Sequence, residues 1–137
     1  MSISDLASAA RDPRLPGIEP FAGPPITIER LPQPVNLVLV RGDSFYMTIA
    51  VDDLDGQPAD LTGASCRSQI RQTVESAQIA GTLDPVIAGN EITLYLLATV
   101  SAALPLASVY DVELTDAGGL VTTLITGSIT LRPDVTR

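Results

Sequence analysis

Seven of the eleven prolines in this chain fall between Pro13 and Pro34, and that cluster limits what the first quarter of the chain can become. Proline fixes φ at about −65° and has no N–H to donate, so neither a helix nor a central strand can run through such a stretch. RDPRLPGIEPFAGPPITIERLPQP must run extended. A polyproline-like path rises about 3.1 Å per residue, giving a reach of roughly 60–75 Å. The stretch also carries Ile18, Phe21, Ile26, Ile28 and Leu31, apolar side chains for which a solvated spacer has no use. We therefore expect residues 1–35 to form an extended arm whose apolar residues lie on a partner. Ser4 to Arg11 would add a short helix over 4–11, capped by Ser4 or Asp5 and ended by Pro13.

The remaining residues, 36–137, have room for one domain. Hydrophobic residues make up 45% of the chain, as in a globular domain and unlike a disordered one. The net charge is −8, and every cation is an arginine. Such an acidic chain is a poor binder of phosphate backbones, so no nucleic-acid partner is expected. Histidine is absent, which removes the commonest general base and a common metal ligand. With Cys66 as the single cysteine, no internal disulfide or thiolate metal cluster can form. No apolar run has the length of a membrane helix, and MSISDLASAARDP lacks the basic start and apolar core of a signal peptide. The expected setting is a protein made in the cytosol, soluble until it assembles, with no membrane partner and no cofactor.

From Asn36 the pattern is one of strands separated by turns. NLVLVR (36–41) and SFYMTIAVDD (44–53) lead, the second with Phe45, Met47, Ile49 and Val51 on one face and Tyr46, Thr48, Ala50 and Asp52 on the other. SCRSQIRQ (65–72) follows, with Cys66, Ser68 and Ile70 inward. SAQIAGTL (76–83) is a weak edge strand and NEITLYLL (90–97) a strong one. ATVSAALP (98–105) is one helical turn ended by Pro105. SVYDVELT (108–115) and LVTTLITGSITLRP (120–133) close the domain as a hairpin, with a bulge or bend expected at Gly127. About seven short strands and no long helix predict an all-β, immunoglobulin-like antiparallel sandwich. Tyr110 stands where such sandwiches place a corner tyrosine, its hydroxyl bonding back to the preceding loop. We assign Tyr110 a structural role, along with the turn glycines Gly42 and Gly56.

Several motifs invite a chemical reading. Arg41-Gly42-Asp43 spells an integrin-binding tripeptide, yet it falls between two strands, where glycine and aspartate are ordinary turn formers. Asp52, Asp53, Asp55 and Asp60 surround Gly56 as in a calcium loop. Aligned on that glycine, however, Val51 takes the first ligand position and Thr62 that of the bidentate glutamate. A solvated hairpin tip fits better. Asp111 and Glu113 are two apart on a strand, at a spacing open to acid–base work, but they alternate with Tyr110, Val112 and Leu114 as a solvent face does. No base, nucleophile and orienting group come together, so no catalytic residue is expected. Cys66 reads as a small buried residue. Tyr46, Thr93, Tyr95 and Leu97 would project from the polar side of two strong strands as a contact surface.

From Leu39 onward the chain resembles a family of small phage proteins. The residues that carry the likeness are Arg41-Gly42-Asp43-Ser44-Phe45, the hairpin from Asp53 to Ala64 (DLDGQPADLTGA), the corner and hairpin from Tyr110 to Gly119 (YDVELTDAGG), and the ending from Gly127 to Arg137 (GSITLRPDVTR). It spans about residues 37–137 and is similar to the N-terminal domain of phage baseplate upper proteins. The resemblance implies a virion structural protein with an immunoglobulin-like domain and no catalysis. It makes the RGD a turn feature of the family.

The expected function is docking through the β-domain, with the arm tying neighbouring subunits in the tail, neck or baseplate as an adaptor. Because the chain ends at Arg137, a docking or cementing module is expected rather than a fibre bearer. The partners would be other virion proteins, in several copies of a symmetric assembly. A capsid decoration (cement) protein is the alternative, and a secreted adhesion or carbohydrate-binding module a more distant one.

Overall fold

The computed structural model describes residues 26–28 and 31–135, the first three through their backbone alone. Among the described residues the fold is all-β: β1 (Ile26–Ile28), β2 (Gln33–Pro34), β3 (Leu37–Val40), β4 (Phe45–Val51), β5 (Ser65–Arg71), β6 (Gly81–Ala88), β7 (Glu91–Leu96), β8 (Ala107–Thr115) and β9 (Val121–Arg132), with one short helix, α1 (Ala98–Ala103). The strands form one curled mixed sheet in the order β1-β4-β7-β6-β5-β8-β9-β2, with β3 also on β9. Pairing is antiparallel except for β1 on β4 and for β2 and β3 on β9, which are parallel.

The curl turns at β6. Its first residues, Gly81 to Leu83, pair with β5, whereas Asp84 to Ala88 pair with β7. One strand thus leaves one group of partners for another, the device that makes a corner between packed sheets. Pro85 is tolerated because that half of β6 has β7 on one side and, among the described residues, no strand on the other. The sequence pattern placed a weak strand at 76–83; the observed strand starts later and continues through the proline.

Alternation explains the core. Phe45, Met47, Ile49 and Val51 of β4 and Ile92, Leu94 and Leu96 of β7 share a cluster with Ile70, Leu83, Tyr110, Val112, Leu114, Ile125 and Ile129. In β9 both Leu124 and Ile125 are buried, because the register slips by one residue opposite Val112 and Glu113. That bulge lies upstream of Gly127, where a bulge or bend was expected.

Strands β1 and β2 lie upstream of Asn36, inside the stretch read as arm. Each occupies an edge, the only sheet position open to so proline-rich a segment. They raise the strand count above the expected seven. The predicted helix over 4–11 lies outside the described residues.

Candidate functional site

The motifs that suggested chemistry lie on turns. Asp53 Oδ1 accepts the N–H groups of Asp55 and Gln57, each at 2.9 Å, and Gly56 has φ of 78°, the left-handed region that favours glycine. The loop at Asp116 repeats this arrangement. Its Oδ1 accepts the N–H groups of Gly118 and Leu120 at 2.9 Å, and Gly119 has φ of 90°. Asp60 accepts the Thr62 N–H at 3.0 Å, and the Thr62 hydroxyl and N–H hold its carboxyl below the ordinary range. These carboxylates brace backbone turns. Among the described residues no three metal-ligating side chains come together.

The Arg41-Gly42-Asp43 turn is tied to α1. Arg41 Nη2 donates to Leu104 O at 2.7 Å, and the Gly42 N–H donates to Ser101 Oγ at 2.9 Å. Gly42 has φ of 89°. The arginine therefore satisfies a carbonyl at the end of the helix, where a positive charge is also favoured.

Tyr110 is buried, and its hydroxyl donates to Val35 O at 2.8 Å. The expected partner was the loop just before it; the observed one lies 75 residues upstream in sequence. Burial pushes the phenol well above its ordinary pKa. Gly127 makes this contact possible, because a Cβ there would stand 1.8 Å from Val35 O. Val35 N–H also donates to Thr126 O at 3.0 Å, and Asn36 Oδ1 accepts from Ser128 N–H and Oγ at 3.0 and 3.1 Å. Four contacts thus clamp the β2–β3 junction, three from β9 and one from Tyr110 of β8.

The proposed sheet surface requires correction. Tyr46, Thr93 and Tyr95 are buried, and so is Thr48. The Tyr46 and Tyr95 rings pack 5.6 Å apart at 30°, and Thr48 Oγ1 bonds Thr93 Oγ1 at 3.2 Å. Both faces of β4 are covered, so these side chains offer no free surface in the chain. Leu97 alone of the four is open, at 48%. Of the arm residues, Ile18 and Phe21 lie outside the described residues. Ile26 and Ile28 stand on β1 in register with Ile49 and Val51 of β4, and Leu31 is exposed.

The other titratable groups with a shifted pKa among the described residues are Cys66 and Asp111. Burial pushes the Cys66 thiol up to about 11, which suppresses the thiolate that reactivity needs. Burial, and next the neighbouring charge of Glu113, raise the Asp111 carboxyl; Glu113 itself pairs with Arg67 at 3.1 Å. The shallow hollow beside Asp111, about 260 Å³, is lined by Gln69, Arg71, Val74 and Thr126. It brings no nucleophile to a base.

No protein-family profile matches the chain, and no curated protein does. Among solved structures the chain is similar to the bradyzoite-specific antigen BSR4 from Toxoplasma gondii, at 14% identity and a TM-score of 0.32. The match covers 76% of this chain and 45% of that one.

Proposed function

We propose that this chain is a non-enzymatic structural protein of a phage virion, and that its curled sheet is an immunoglobulin-like sandwich. What carries the reading is the position of the residues that make up the phage-family likeness. Arg41 and Gly42 secure α1, Asp53 with Gly56 and Asp116 with Gly119 brace two tips, and Tyr110 with Gly127 holds the β2–β3 junction. A sequence pattern kept for chemistry would gather its residues around a cleft. Here they fix a rigid body, which is what a docking module needs. The sandwich reading rests on the switch of partners along β6 and on the shared apolar cluster between β4–β7 and β5–β8–β9.

In this account the β-domain docks on the tail, neck or baseplate. The proline-rich arm threads along a neighbouring subunit with Ile18, Phe21 and the exposed Leu31 as its apolar contacts, whereas Ile26 and Ile28 stand on β1 against this chain's own β4. Ordering such an arm on a partner costs conformational entropy, which several copies in a ring offset through avidity. Capsid decoration uses the same physics with the shell as partner. To test the reading, particles from the encoding cells are banded on a density gradient and washed in high salt. Peptides of this chain should stay with the particles; their complete loss to the soluble fraction would sink the virion role.

A further inference from the structure

Strand β3 is an edge with no strand beyond it among the described residues, since it pairs with β9 alone. The Arg41 N–H donates to Arg132 O. Strand alternation therefore turns the peptide groups of Leu37 and Leu39 toward β9 and those of Val38 and Val40 away from it. The Val40 carbonyl takes the Asp43 N–H at 3.1 Å and keeps a second lone pair. The side chains on this edge are open as well: Val38 is 60% exposed and Val40 36%.

Soluble proteins normally protect such an edge with a charge, a proline or a bulge. The open half of β6 carries Asp84 and Pro85, and β2 carries Pro34. Leu37-Val38-Leu39-Val40 carries none of these. An unprotected, uncharged edge of alternating aliphatic residues is a template for another strand.

We propose that β3 pairs antiparallel with β3 of a second copy across a twofold axis, joining two curled sheets edge to edge. The edge is self-complementary. With the axis at Leu39, Val38 of one copy faces Val40 of the other, and each such pair exchanges both of its N–H···O=C bonds. This register uses the outward peptide groups of both valines. It also sets valine on valine across the outer face, a favourable cross-strand pair. Charge selects the same place. Copies with a net charge of −8 repel over most of their surface. No carboxylate lies on β3, and the β9 residue opposite Val40 is Arg132. So small a contact makes a weak, reversible dimer, one that gains strength when a larger assembly holds the copies together. This inference goes beyond the virion reading and stands without it.

Sedimentation velocity of the full chain from about 10 µM to about 1 mM, with amide exchange at both limits, tests the pairing. The wild-type chain should pass from monomer to dimer, with exchange of the Val38 and Val40 amides slowing as concentration rises. Val38→Pro removes an outward N–H without touching a bond to β9, and should weaken the dimer at least about tenfold with an unchanged thermal midpoint. Val38→Lys should do the same by placing a charge on the edge. Val74→Lys, at an exposed position between β5 and β6, should dimerise as the wild type does. A wild-type chain that stays monomeric throughout overturns the proposal, even if it captures a strand of some other protein. So does a dimer that survives both Val38 variants.

Discussion

Gly127→Ala carries a sign that separates two accounts of that glycine. A glycine inside a strand is ordinarily a weakness, and its replacement by alanine at a compatible position stabilises by about 0.4–1 kcal/mol. Gly127 sits inside β9. Yet an added Cβ would stand 1.8 Å from Val35 O and 2.7 Å from Val35 C, whereas the closest ordinary C···O contacts are about 3.3 Å. The Val35 peptide would have to retreat by roughly 1.5 Å to restore that separation. Retreat breaks the bond from Tyr110 Oη at 2.8 Å and the Val35 N–H bond to Thr126 O at 3.0 Å. Two lost bonds, with one buried hydroxyl left unsatisfied, amount to about 2–4 kcal/mol. Urea unfolding of wild type, G127A, Y110F and the double variant measures this. Y110F should cost about 1 kcal/mol. The double variant should cost less than the sum, because both changes act through Val35 O. A G127A chain more stable than wild type, or strict additivity, would refute the clamp.

Other outcomes follow from the turns and the buried groups. Arg41→Ala removes a charged donor from Leu104 O and should destabilise by about 1.5–3 kcal/mol in urea unfolding; Arg41→Lys should restore only part of this, since the guanidinium geometry is lost. Asp53→Ala and Asp116→Ala each free two exposed N–H groups, so each should cost about 1 kcal/mol, and the two should add because they brace separate loops. Cys66 should react slowly with a maleimide in the folded chain and readily in urea. Its folded pKa of about 11 exceeds the ordinary 9.0, so the neutral thiol's contribution is complete below pH 9 and is lost as pH rises toward 11. For Asp111 the raised pKa means the folded state prefers the neutral acid. Asp111→Asn should therefore stabilise at about pH 7, and the gain should vanish below about pH 4, where wild-type Asp111 is itself protonated.

The strand pattern was legible wherever one face is apolar and the other polar, as in β8, whose residues alternate buried and half-buried from Ser108 to Thr115. In β4 the same reading misled. Tyr46 and Thr48 looked like a solvent face, but a hydroxyl or a ring can be buried if it finds a partner, and both did across the strand pair, on Tyr95 and Thr93. Period-two patterning reports polarity, and burial follows polarity only when the polar groups lack partners. The second half of β6 was missed because Pro85 argues against a strand; the chain admits it only at an open edge, which no local pattern reveals. Tyr110 was legible as a structural residue from its place after the crossover. Its partner Val35 was not, since a contact across 75 residues leaves no local trace. The aspartate-braced tips were readable from Asp53-x-x-Gly56 and Asp116-x-x-Gly119, because those spacings state the turn chemistry directly.

The virion claim meets its most direct test in the absolute number of copies per purified particle, counted by isotope-labelled peptide standards against the major capsid and tail-tube proteins. The account predicts a small symmetric set, about six to about twelve copies, as a tail, neck or baseplate ring would hold. Hundreds of copies would contradict the tail placement in favour of decoration, and none at all would contradict the virion role itself.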